Sequence, residues 1–405
     1  MAIENWMVIA GGIIALSVAG SKLTGKFGVP ILLVFLAIGM LAGSDGPGGI
    51  WFADAKLAKN LGLIALAFIL FAGGMDLHWK QARPHVFKSL SLATFGVIAS
   101  AAIVGTIAWL WLSFTIWEGL LLGAIVASTD AAAVFSALST GKFQLRGDIR
   151  ETLEMESGSN DPTAVFLTLT LISVISGEHV SVPWAIAQFL WQMVLGGVGG
   201  FFLGRLGVYV MRKLRLDYEG LYHGVSIALV LLSFGGIALL GGNGFLAVYV
   251  AGAVFGQGEF RRIKGLKRFH DGISWLMQIM LFVVLGLLAF PRQLGNVILP
   301  GVVISAVLMV AARPIGVFLA LTPLRVPIKE QMFISWCGLR GAVPIVLAIF
   351  PIIANIPRAH EIFHLVFFVV VFSTLLQGTT VSLLAGRLGL VEEPVAPPDG
   401  AKLSS

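Results

Sequence analysis

Apolar runs separated by short polar loops follow one another from residue 3 to residue 387. A hydrocarbon core of about 30 Å takes roughly 20 helical residues, and every backbone polar group inside it must find its partner within the protein. The fold class this implies is an all-α polytopic membrane protein. Counted by their breaks, the runs number thirteen: 3–20, 29–43, 57–75, 88–113, 116–138, 150–177, 184–211, 219–240, 243–257, 271–290, 297–321, 330–353 and 361–387. Only 12% of the residues are charged, about half the fraction usual in soluble domains. The 49 glycines suit close helix contact and interrupted helices in a bilayer.

An odd number of spans puts the termini on opposite sides. With a cytoplasmic C-terminus, the inside loops hold nineteen Lys and Arg, in clusters such as Lys80, Arg83, Lys88 and Lys142, Arg146, Arg150. The outside loops hold four: Lys56, Lys59, Arg292 and Arg358. That asymmetry follows the positive-inside rule and makes the N-terminus external. The net charge of +6 is thereby accounted for by topology, without nucleic acid. The basic loop 258–270 reads either as a contact for anionic headgroups or as a solvated anchor. Cys337 is the sole cysteine, so there is no intramolecular disulfide and no thiolate metal site. The N-terminus lacks a signal-peptide pattern, so its apolar run is expected to be retained. Residues 391–405 read as a disordered cytoplasmic tail, with no soluble regulatory domain after it.

Two of the runs are broken in the middle by polar residues. Run five carries Ser128-Thr129-Asp130 and run twelve carries Cys337-Gly338-Leu339-Arg340-Gly341-Ala342-Val343-Pro344. They lie seven runs apart, as expected if runs 1–6 and 8–13 are inverted repeats joined by run seven. Paired interruptions of this kind point to a transporter binding site.

Run six holds Glu156-Ser157-Gly158-Ser159-Asn160-Asp161-Pro162, and ionisable groups at membrane depth mark function. Asp161 is the expected ion carrier. Removal from water disfavours its charged form, so a proton and a monovalent cation compete for one charge. Glu156 precedes Asp161 by five residues, about 140° around a helix, which argues against a carboxylate dyad. The expected role of Glu156 is an ion pair with Arg340, locking run six to run twelve. Asp130 with Thr129 lies where freed carbonyls and hydroxyls can hold a cation, or where a carboxylate can offset the positive ends of two half-helices. Arg313, before Pro314, is either a second core cation or a snorkelling side chain. Asp76 is either a cation-entry residue or a solvated helix end. The histidines show no metal-ligand spacing, and nucleotide and nucleic-acid motifs are absent.

Glu-Ser-Gly-Ser-Asn-Asp-Pro at 156–162, Ser-Thr-Asp at 128–130 and Gly-Leu-Arg-Gly-Ala-Val-Pro at 338–344 together resemble the cation:proton antiporter-1 family, in particular its NhaP-type bacterial potassium/proton and sodium/proton exchangers. The resemblance covers essentially the whole chain. It implies a thirteen-helix inverted-repeat fold in the bacterial inner membrane, working as a homodimer among membrane lipids and without a cofactor. In it, a dimer domain (about 1–87 and 219–295) holds a mobile core (about 88–177 and 297–390) with crossed helices five and twelve, and 184–211 links the two. By position, Asp161 matches the ion-carrying carboxylate and Asn160 its neighbour. Ser157, Asp130 and the Thr129 backbone match cation ligands, and Glu156 and Arg340 match a core ion pair. Electrogenic relatives carry an aspartate in place of Asn160 and a lysine in span ten. Their absence here favours electroneutral exchange of K+ or Na+ for H+. The potassium/proton subgroup usually continues into cytosolic domains, and some sodium exchangers carry an acidic residue in span three; this sequence has neither feature.

The competing readings fit less well. A channel should show a carbonyl-filter signature, and none is visible. An intramembrane hydrolase built on Ser157 or Ser159 lacks a histidine at comparable depth to act as base. An enzyme is therefore not expected. Pocket size and coordination distances decide between potassium and sodium, and these are not written in the sequence.

Overall fold

The computed structural model describes residues 3–27, 30–140, 144–289, 295 and 297–392. Lys142, Arg292 and residues 393–405 of the expected tail lie outside the described residues. The chain is helical: α1 (Ile3–Phe27), α2 (Ile31–Ala42), α3 (Ala55–Asp76), α4 (Trp79–Trp111), α5 (Ile116–Ala127), α6 (Ala131–Thr140), α7 (Gly147–Ile175) and α8 (Val182–Lys213). There follow α9 (Gly220–Leu239), α10 (Gly244–Gly256), α11 (Ile263–Leu288), α12 (Ile298–Leu324), α13 (Ile328–Trp336), α14 (Ala342–Ile353) and α15 (Ala359–Leu388). A two-residue antiparallel pair joins β1 (Gln144–Leu145) to β2 (Val391–Glu392).

A helix overlies each apolar run, but among the described residues only seven helices are long and apolar enough to cross a membrane alone. The α5–α6 pair, bent by 45°, makes an eighth, and α2, α10 and α14 are shorter apolar helices. The start of α11 departs from expectation. It begins at Ile263 rather than near 271, because the loop sequence is amphipathic at helical spacing. Leu266 and His270 turn inward while Lys264 and Arg268 stay exposed. Much of the basic 258–270 loop is therefore helix, and Arg262 before it pairs with Glu219 at 3.3 Å.

Close packing follows small residues. Along α8, Gly196, Gly200 and Gly204 face backbone atoms of Asn243, Ala247 and Ala251, so α8 and α10 run side by side in near backbone contact. Any side chain at these positions would push the helices apart. The same logic seats α10 on α3, where Gly252 and Gly256 lie against the carbonyls of Phe71 and Met75. Helices α2 and α3 pack on α11, while α4 packs on α5, α7 and α12, and α15 packs on α12 and α14. Two of these helices are locally widened into π turns, α4 at Leu92–Gly96 and α12 at Leu308–Ala312. α5 opens with a capping box in which Thr115 and Glu118 satisfy each other's backbone amides.

Candidate ion-binding site

The two expected breaks meet. The chain between α5 and α6 crosses the chain between α13 and α14, and the Asp130 amide donates to the Leu339 carbonyl at 2.9 Å. A break at membrane depth exposes backbone groups that need partners, and side chains supply several of them here. Ala127 and Ser128 carbonyls accept from Arg340 Nη1 at 2.6 and 2.8 Å, and the Thr129 carbonyl accepts from Ser157 Oγ at 3.1 Å. On the other side, α15 serves the second break. Ser373 Oγ accepts from the Arg340 amide, Thr374 Oγ1 donates to the Arg340 carbonyl, and Gln377 Nε2 donates to the Trp336 carbonyl.

The charges follow the helix ends. Asp130 caps α6, accepting from the Ala133 amide at 3.1 Å, and its carboxylate also lies against Gly341, the residue before α14. A negative group thus stands where two helix N-termini converge. The buried Arg340 guanidinium stands at the C-terminal carbonyls of α5. Both placements complement the helix dipoles.

This placement overturns the expected Glu156–Arg340 pair. Glu156 on α7 instead meets Arg313 on α12, with Nη1 to Oε1 at 2.5 Å and Nη2 to Oε2 at 2.8 Å. Both side chains are 2% exposed or less. Arg340 is drawn to carbonyls because its own break delivers it to the end of α5, while the π turn ending at Ala312 precedes Arg313 directly. Arg313 is thus a core cation rather than a snorkelling one, and Glu156 ties α7 to α12.

Pro162 does not end α7, which runs unbroken from Gly147 to Ile175. The polar motif is therefore one continuous helical surface, divided by direction. Asp161 turns from Glu156 toward the crossing, where its Oδ1 accepts from Ser128 Oγ at 2.5 Å. Asn160 Nδ2 donates to Thr129 Oγ1 at 2.5 Å, and its Oδ1 has no partner among the described residues. Ser157 Oγ also accepts from the Ala131 amide at 3.2 Å.

A cavity of about 420 Å³ reaches this point. Ser128, Thr129, Asp130, Ser157 and Asp161 line it, and so does the exposed Asp76 at the end of α3. Asp161 itself is 4% exposed. Glu154, bonded to Arg150 at 2.9 Å, Arg150 itself, Ser136, Tyr249 and Gln278 add to its polar wall. Asn160 lies just behind the wall, while Glu156, Arg313 and Arg340 do not line it. Ser128 and Glu154 were not singled out from the sequence. Ser128 shares the polar break with Thr129 and Asp130, and Glu154 stands at i+4 from Arg150 and just under one turn before Ser157 on α7. Both signals were present.

Oxygen donors gathered at a crossing of broken helices, at the end of a cavity and around one buried carboxylate, define a membrane ion transporter. The model of the family described as "Sodium/hydrogen exchanger, transmembrane" matches residues 12–386, and the chain belongs to that family. It is similar to the K(+)/H(+) antiporter NhaP of Alkalimonas amylolytica, 42% identical over 400 residues, which are 98% of this chain and 69% of the relative. The K(+)/H(+) antiporter NhaP2 of Shewanella sp. strain ANA-3 is 42% identical over 402 residues, with the same coverage. In fold it is similar to the sodium proton antiporter MjNhaP1 from Methanocaldococcus jannaschii, with a TM-score of 0.80 at 24% identity over 95% of this chain and 99% of that one.

Proposed function

We propose that this protein exchanges one monovalent cation for one proton by alternating access, with Asp161 as the carboxylate that the two ions share. The observation that carries this reading is the buried Asp161 at the inner end of a polar cavity, between Ser128 and the Asp130 crossing. Desolvation makes a bare carboxylate there costly, so it holds either a proton or a cation. Thr129, Ser157, Asp130 and Asn160 supply the remaining oxygens for the cation, and Asp76 at the cavity mouth draws it in. The names of the relatives at 42% identity make K+ the first choice of substrate; Na+ is the alternative. Asn160 beside Asp161, and no lysine from Gly272 to Phe290, support a one-for-one, electroneutral exchange.

In this reading α1, α2, α7, α10 and the α13–α14 pair also cross, giving thirteen spans with an external N-terminus and a cytoplasmic C-terminus in a bacterial inner membrane. The inverted repeat is supported by two features seven spans apart: the paired breaks, and the π turns in α4 and α12. Helices α1–α3 and α9–α11 form the dimer scaffold, with α8 as the link, and the remaining helices move as the core of a homodimer. The cavity reaches the face that carries Asp76 and Arg150, which would be cytoplasmic.

Proteoliposomes with an internal pH dye test this. Adding K+ or Na+ should dissipate an imposed proton gradient without an ionophore to clamp the potential, and Asp161→Asn should abolish the response. Full exchange by Asp161→Asn would overturn the role of Asp161, and a steep dependence on membrane potential would overturn electroneutrality.

A further inference from the structure

A second cavity, of about 500 Å³, lies on the other side of Tyr249 from the ion-site cavity. Tyr249 borders both and packs against Gly158. This second cavity is a slot alongside the α8–α10 contact, walled by those two helices and by Trp79 and Leu90 of α4, with Met155 and Ser159 of α7 at its back. On α8 the wall is Phe201, Arg205, Val208 and Arg212, and on α10 it includes Leu246, Val250 and Val254. Each set recurs at helical spacing on one face. The glycine contacts hold α8 and α10 side by side and parallel, and at 1.5 Å per residue the α8 stripe is about 16 Å long and the α10 stripe about 12 Å. The longer is roughly half of a 30 Å hydrocarbon core, the depth of one leaflet.

The slot is polarised along its length. Phe201, Leu246 and Val250 make its deep end apolar. Arg212, two turns on from Arg205, puts a cation near the end of α8, where Lys213 follows and the exposed Trp79 forms part of the rim, while Arg205 stands one turn from Phe201 at the border of the apolar end. Trp and basic residues together mark a membrane–water boundary. Neither arginine forms an ion pair among the described residues. Among the described residues Arg205 meets the face of Phe201, at 5.3 Å from the ring centroid. It is exposed on a membrane helix about two turns before its end, open to an anionic partner.

We infer that this slot binds one anionic phospholipid per protomer, its phosphate held by Arg205 and Arg212 and one acyl chain laid along the Leu246–Val250 wall. The phosphate answers the two unpaired cations, and the length and apolarity of the deep half answer the chain. A zwitterionic lipid brings its own cation to the same place and binds more weakly. The lipid would touch α7 of the ion site together with α8 and α10.

Native mass spectrometry of the full chain in neutral detergent tests this, with phosphatidylglycerol or phosphatidylcholine added. One phosphatidylglycerol per protomer should survive detergent removal, and phosphatidylcholine should not. Arg205→Ala with Arg212→Ala should lower phosphatidylglycerol retention at least fivefold, and Lys at both positions should keep most of it. Val250→Trp, which fills the deep end with both arginines intact, should lower it as well, and carries the test if the alanine variant does not fold. Retention unchanged in either the alanine or the Trp variant overturns the site. Displacement of the lipid by inorganic phosphate at equal concentration overturns the acyl-chain half of the proposal. Loss of dimer without loss of lipid in the alanine variant would assign the slot to a second copy of the chain instead.

Discussion

Arg313 grips Glu156 with both terminal nitrogens, at 2.5 and 2.8 Å, across 157 residues of sequence and with almost no exposure to solvent. Planar bidentate geometry of this kind is the strongest form of the carboxylate–guanidinium contact. Its value lies in what its loss leaves behind. Removing one member strands a buried charge, which costs about 3–5 kcal/mol.

Glu156→Gln and Arg313→Gln should therefore each lower the melting temperature of the detergent-solubilised protein markedly, and the double variant should recover part of the loss. A double-mutant cycle on melting separates the pair from its neighbours. Coupling between Glu156 and Arg340 that exceeds the coupling between Glu156 and Arg313 would contradict the assignment.

Arg340→Ala removes the donor for the Ala127 and Ser128 carbonyls. Buried acceptors left without partners cost about 1–3 kcal/mol, and here the loss falls on the broken helix itself. The variant should melt earlier than the wild type and lose exchange, and hydrogen–deuterium exchange should rise first around residues 124–130. Unchanged protection there would mean that the guanidinium does not hold the end of α5.

Ser128→Ala takes away the hydroxyl that donates to Asp161. A donor to a carboxylate favours its charged form, so without it the proton leaves less readily. The pH of half-maximal exchange in proteoliposomes should move upward, by about one to two units for a hydrogen bond to a charged group. Ser128→Thr should stay near the wild-type profile. A profile that moves downward, or not at all, would remove Ser128 from the site.

Gly158 leaves room for the ring of Tyr249, and a methyl group at 158 would overlap that ring. Gly158→Ala should slow exchange and lower stability, because the ring is wedged between α7 and α10. Adding Tyr249→Leu should restore part of both. Strict additivity of the two substitutions would show that the contact has no consequence.

The helices were legible because apolar runs with polar ends admit little else in a bilayer. The crossing could be anticipated for the same reason: Ser128-Thr129-Asp130 and Gly338-Leu339-Arg340-Gly341 interrupt otherwise apolar runs. The ion pair was half legible. Glu156 announced its need for a cation, but two arginines sit at comparable depth, and the choice between them depends on helix rotation. The π turn at Leu308–Ala312 that precedes Arg313 has no signature in the sequence. Ser128 stands beside two more conspicuous neighbours, and Arg205 lies inside an apolar run whose length is its main signal.

The charges around the crossing also bear on electrical work. The formal charges of Asp130 and Arg340, each at its own helix end, and of the paired Glu156 and Arg313 sum to zero, which leaves Asp161 as the remaining charge of the set. Carrying one unit charge through a membrane at 100 mV costs about 2.3 kcal/mol. On the proposed reading, a core whose fixed charges cancel, and whose one variable charge is covered by a proton or a cation, would meet no such toll in either direction. Exchange through it would be driven by the two concentration gradients and be blind to the voltage across the membrane.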